Sequence, residues 1–358
     1  MAETPPTISK DDLKAAVGSG LLTEAQAANL ISLSDSRRGA RENLAVGDEP
    51  FELFKGFNEI FIVVGLIILA VGWYSIAGIY FAASINNVQT YWGTIALISA
   101  GTLWLLSEYF VRSRRMVAPA IALTVMFAGN AAAGFVAFFS EPFMVAQDNY
   151  ESVPFPLILA TLSLAIYWWR FRVPFAMAAI ALGMFATAII LAASNGGEIE
   201  ALGDLFLLSA DGPYAWITLA LGLLVFAVAM MFDMSDPHRV TRRAANGFWL
   251  HIIAAPMLIN TVALTLLDSE ANIVLIGVLA IFALVAIVID RRSFLITAIG
   301  YMVALSQTVL EDESIALTIL LLGVVLLLLG AFWEKVRARL LRGLANILPL
   351  DRLPPSHV

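Results

Sequence analysis

Apolar residues in this chain gather into ten runs, and a helix needs about 20 such residues to cross a 30 Å hydrocarbon layer. The runs are 57–80, 90–110, 117–139, 155–169, 174–193, 214–232, 248–267, 272–289, 294–310 and 315–333. The fourth and ninth lie near the lower length limit. None alternates polar and apolar residues as the strands of a membrane barrel do. Backbone polar groups in lipid must therefore be satisfied within helices. The expected fold is an all-α polytopic transmembrane bundle of ten spans, with a short N-terminal helical hairpin. Charged residues make up 14% of the chain, against about 25% in an ordinary soluble domain.

The placement of Lys and Arg predicts the orientation. All 21 fall in the N-terminal segment, the C-terminal tail or every second loop. Those loops hold Arg112, Arg114 and Arg115; Arg170 and Arg172; Arg239, Arg242 and Arg243; and Arg291 and Arg292. The alternate loops carry acidic residues instead, such as Glu141, Asp204, Asp268 and Glu311. Cationic loops stay on the cytoplasmic side during insertion, which places both termini in the cytoplasm. The first fifty residues hold no signal-peptide core, so the first span is expected to direct insertion. The Ala-rich composition suggests a bacterial inner membrane.

Three regions are expected: a cytoplasmic hairpin and linker (1–50), the ten-span bundle (51–334) and a basic cytoplasmic tail (335–358). In the first, Ser9 can cap a helix over residues 10–17, and Gly18 and Gly20 stop it. Thr23 and Gln26 have capping-box spacing for a second helix. Leu13, Ala16, Val17, Leu21, Leu22, Leu30 and Ile31 form an apolar seam too small to be stable alone. The hairpin is expected to need a protein partner or another copy of the chain. Four inner loops share a layout of helix end, Arg cluster and small-residue helix. A repeat of antiparallel helix pairs or topology alone explains it.

Small residues mark close helix packing in lipid: Ala120, Thr124, Ala128 and Ala132 in the third span, and Ala179, Gly183 and Thr187 in the fifth. Buried charge is nearly absent. Glu108 and Arg112 read as a surface pair, and Asp233 and Asp290, at inner helix ends beside arginines, read the same way. Glu59 sits at the inner end of the first span. The seventh span is the candidate intramembrane polar site. Pro256 there removes a backbone hydrogen bond and frees the carbonyl of Ile252, with His251 and Asn260 on the same helix. Asn130 in the third span is a further midplane amide. The competing readings are a packing kink for Pro256, interhelical hydrogen bonds for Asn130 and Asn260, and an interfacial group for His251. Arg239, Arg242 and Arg243 are candidate lipid-phosphate contacts. Asp233, Asp236 and His238 lack a fourth ligand and a recognised spacing, so no metal site is expected. With no cysteine, no phosphate loop and no catalytic motif, no cofactor or nucleic-acid partner is expected, and an enzyme is the least expected class.

The stretches DLKAAVGSGLLTEAQAANL and WEKVRARLLRGLANILPLDRLPP resemble a family of predicted bacterial multi-pass membrane proteins of unknown function. That resemblance implies an N-terminal helical segment followed by eight or more spans, and no substrate. Three functional expectations remain. The first is a non-enzymatic assembly or regulatory component acting through the hairpin. The second is a permease for a small neutral or weakly charged solute, lined by the seventh span. The third is a lipid-handling enzyme using His251.

Overall fold

The computed structural model describes residues 10–23, 26, 30, 56–81, 87–142, 144, 149–194, 202–237, 242–292, 294–295, 312–344 and 352–354. Among these residues the regular structure is helical, with no strand. The chain divides into two units, Met1–Glu52 and Leu53–Val358.

In the first unit α1 spans Lys10–Gly18, close to expectation. Gly20 turns left-handed at φ +77°, which lets the Leu21 N–H reach the Ala16 carbonyl at 2.9 Å in a Schellman closure. Thr23 and Gln26 form the capping box their spacing predicts. The Thr23 N–H donates to Gln26 Oε1 at 3.0 Å, and the Gln26 N–H donates to Thr23 Oγ1 at 3.2 Å. Of the expected seam, Leu13, Ala16, Val17 and Leu22 are half-buried, while Leu21 and Leu30 are exposed. Ser9 and Ile31 lie outside the described residues.

The second unit contains α2 (Phe57–Phe81), α3 (Val88–Ser107, continued by a π-turn Glu108–Ser113), α4 (Ala118–Phe139) and α5 (Pro154–Phe171). After these come α6 (Phe175–Ala193), α7 (Tyr214–Met234), α8 (Arg242–Asp268), α9 (Asn272–Ile289) and α10 (Asp312–Gly343). Pro119 and Pro154 stand in the first turns of α4 and α5, and Pro174 and Pro213 just precede α6 and α7. A missing N–H is harmless there, since the first N–H groups of a helix have no internal partner. Among the described residues six helices, α2, α3 with its π-turn, α4, α6, α7 and α8, are long and apolar enough to cross a membrane. The expected ninth span, 294–310, lies outside the described residues except for Phe294 and Leu295.

Two boundaries differ from expectation. The helix of the expected seventh span begins at Arg242, six residues early, because Ala244 and Gly247 pack it onto α7. α10 continues past Trp333 to Gly343, into the segment expected as a tail. Its Leu341 is buried in the same apolar cluster as Trp333, with Val336 and Leu340 against it.

Consecutive helices α3/α4, α5/α6 and α7/α8 pack most closely, the first two pairs being joined by short arginine-bearing turns. Arg115, Arg172 and Asp290 all adopt left-handed backbone, with φ of 54°, 54° and 56°. The common turn geometry fits the shared loop layout seen in the sequence. α8 is the hub, half of its apolar window being buried against neighbours, whereas α2 is peripheral with 11%. The seam on α4 begins at Ala120 and Thr124 as expected. It then runs along Phe127, Ala131 and Gly134 rather than Ala128 and Ala132. Gly183 on α6 meets Thr161 of α5 so closely that a Cβ would lie 2.5 Å from its hydroxyl. Large apolar side chains line the outside, among them Ile68, Ile79, Leu105, Ile273 and Leu327. That surface fits a lipid bilayer.

Candidate functional site: a buried charge cluster joining three helix ends

The α7–α8 interface is built from small residues spaced three and four apart. α7 contributes Thr218, Gly222, Val225, Ala229 and Asp233; α8 contributes Ala244, Gly247, His251, Ala254, Leu258 and Thr261, all buried. The hydroxyls of Thr218 and Thr261 bond back to the carbonyls of Tyr214 and Met257, so they need no water in lipid. At the arginine-bearing end Gly247 leaves room for the Asp233 carboxylate, since a Cβ there would lie 2.2 Å from Oδ1.

Asp233 then takes two partners distant in sequence. Arg291 donates from Nε to Oδ2 at 2.9 Å and from Nη2 to Oδ1. The same Nη2 donates to the Ala244 carbonyl at 3.0 Å. His251 Nε2 lies 2.9 Å from Asp233 Oδ2. An ionised carboxylate only accepts, so Nε2 carries the proton in this arrangement. The His251 ring is flanked by Phe226 and Phe294, with centroids at 5.5 and 5.7 Å. Asp233 is 5% exposed, His251 0% and Arg291 1%. Opposite charges at bidentate geometry offset one another in this dry setting; a single charge here would be very costly.

Arg291 arrives because α9 ends in a left-handed turn at Asp290, with the Arg291 N–H closing on the Ala286 carbonyl at 2.9 Å. Asp290 Oδ1 accepts from Trp333 Nε1 at 2.7 Å. The fully buried Arg337 of α10 donates to the Ile287 carbonyl of the last turn of α9 at 3.2 Å, and to the Pro354 carbonyl. The surface-pair expectation for Asp233 and Asp290 is therefore corrected. Both are buried, and their partners come from other helices, because the α7–α8 seam carries the helix ends beneath the bundle. Glu59 is likewise buried, accepting from the N–H of Ala118 at 3.0 Å and of Val117 at 3.2 Å. It thus caps the positive end of α4 from α2. Glu108 and Arg112 do pair, at 3.4 Å, and Glu108 also holds Arg170 at 2.8 Å.

The sequence-expected site residues do not converge. His251 joins the charge cluster. α8 runs unbroken through Pro256. Asn260 keeps a buried Oδ1 with no hydrogen-bond partner among the described residues. Asn130 lies on α4, accepting from the Tyr74 hydroxyl of α2 and donating to the Met126 carbonyl at 2.8 Å. Arg242 and Arg243 are exposed in the first turn of α8, while Arg239 and His238 lie outside the described residues. Among the described residues no three His, Asp or Glu side chains are placed to hold a metal. Sequence reasoning missed Gly247, Asp233 and Arg291 as a unit. The three-and-four spacing from Ala244 to Thr261 is the signal that marks the seam, and no local signal marks Arg291. In comparisons with known proteins, no family model, curated protein or solved structure matches this chain.

Proposed function

We propose that this chain is a bacterial inner-membrane protein crossing ten times with both ends cytoplasmic, and that it serves as a non-enzymatic assembly or regulatory component. Its N-terminal hairpin engages a partner protein or a second copy. The observation that carries this reading is the state of the hairpin. Its turn and capping box are fully formed, yet none of its described apolar side chains is buried, Leu21 being 79% exposed. An ordered turn whose described apolar side chains are at most half-buried lacks the buried area that stabilises a small unit. Meanwhile the buried charges Glu59, Asp233, Asp290, Arg291 and Arg337 all bond to other parts of the bundle, as in a scaffold. Deleting residues 1–45 is expected to abolish capture of the partner, or crosslinking between copies, while membrane insertion persists. Unchanged capture and crosslinking in the truncated chain would refute it.

One observation favours a second reading, a permease for a small neutral or weakly charged solute. Among the described residues, the buried Oδ1 atoms of Asn246 and Asn260 have no hydrogen-bond partner. Fourteen residues separate them, about 21 Å along α8 and within about 40° of one face. Unmatched acceptors in lipid are costly and usually functional. Asn260→Leu is then expected to abolish solute uptake while leaving thermal stability intact. Wild-type uptake in that variant would remove the idea. A lipid-handling enzyme is the least supported reading, because His251 is fully enclosed between Phe226 and Phe294.

A further inference from the structure

Two neighbouring turns at the arginine-bearing end hold five arginines, Arg112, Arg114, Arg115, Arg170 and Arg172, and one carboxylate of their own, Glu108, while Glu59 of α2 reaches the N–H groups of Val117 and Ala118 beside them. Glu108 bridges Arg170 at 2.8 Å and Arg112 at 3.4 Å, which ties the π-turn after α3 to the end of α5. Arg114, Arg115 and Arg172 are left without a carboxylate partner among the described residues, and all three are exposed. Two of them are held by rings. Arg114 donates to the Tyr109 hydroxyl at 3.0 Å and lies 5.5 Å over its ring, and Arg172 lies 4.8 Å over Trp168. A guanidinium held on a ring loses less freedom on binding, and Arg114, whose Nε and Nη2 both donate to the Tyr109 hydroxyl, offers its Nη1 side.

The level of these groups is set by their neighbours. Leu105, Ile166 and Trp169 are 70%, 57% and 67% exposed on the same helices. Such apolar surface needs acyl chains around it, so the guanidinium groups beyond it stand at the depth of the headgroups. We propose that these two turns form a binding surface for the phosphate headgroups of anionic phospholipids. Planar guanidinium edges match phosphate oxygens in bidentate pairs. A zwitterionic headgroup brings its own cation and gains less. The inference rests on the membrane reading of the bundle and is independent of the hairpin's role.

The test uses the full chain in neutral detergent, offered phosphatidylglycerol or phosphatidylcholine, with retained lipid counted by native mass spectrometry. The wild type is expected to retain phosphatidylglycerol in preference. The triple variant R114Q/R115Q/R172Q is expected to lose about fivefold or more of that retention, with phosphatidylcholine unchanged. Arg115→Gln alone, at a side chain with no hydrogen bond among the described residues, guards against misfolding and is expected to reduce retention measurably. Equal retention of both lipids by the wild type, or undiminished phosphatidylglycerol on the variants, would overturn the proposal. So would displacement of the lipid by millimolar inorganic phosphate, which would mark a free-phosphate site instead.

Discussion

Asp233→Ala is expected to cost the bundle about 3–5 kcal/mol, read as a lower melting temperature and loss of monodisperse protein in detergent. The substitution leaves Arg291, 1% exposed, without its carboxylate, and removes the partner of His251 Nε2. The large effect comes from the stranded cation rather than from the worth of the ion pair. Breaking a buried pair is severe, while replacing both members with apolar groups is often close to neutral. Asp233→Leu combined with Arg291→Met is therefore expected to melt above Asp233→Ala, even though it carries more changes. If Asp233→Ala melts with the wild type, the cluster bears no weight in the fold. If the double replacement falls below the single one, the stranded-charge account is wrong.

Gly247→Ala should be nearly as damaging, although it adds one methyl group to a helix. The new Cβ would sit 2.2 Å from Asp233 Oδ1 and 3.3 Å from the Ala229 carbonyl oxygen. The backbone of α7 cannot retreat without opening the Thr218–Asp233 seam, so the carboxylate has to move off Arg291. Overpacking alone costs about 1–3 kcal/mol, and disturbing the charge cluster adds to it. Gly101→Ala on α3 is the matched control, because no atom lies within 4 Å of its Cβ position. There the usual helix preference of alanine over glycine, about 0.8–1 kcal/mol, is expected to stabilise. In an Asp233→Ala background the penalty of Gly247→Ala should shrink, since the obstructing oxygen is gone. Full additivity of the two would separate Gly247 from the cluster.

The hairpin shows how far local chemistry carries. Gly20, Thr23 and Gln26 act through bonds within six residues of one another, and each adopts the role its spacing predicts. The described helices of the bundle were legible as helices, because an apolar run in lipid has no other way to satisfy its backbone. The Glu108–Arg112 pair lies on one helical surface four residues apart, and it too could be read directly.

Asp233 and Arg291 could not. In the sequence each is an ionisable residue at the end of an apolar run beside arginines, which is how a solvated turn looks. Their pairing is set by the register of α7 on α8, fixed by Gly222 against Leu258 and by Gly247 against Asp233. It also needs the left-handed turn at Asp290 that swings Arg291 beneath the helices. Glu59 on Val117 and Ala118, Arg337 on Ile287 and the reach of α10 past Trp333 have the same origin. The sequence by itself determined that greasy helices form and where arginines gather, because helix formation and hydropathy depend on residues within a turn or two. Only the tertiary structure decided which charges go inside, because that depends on which helix surfaces approach closely enough to exclude water.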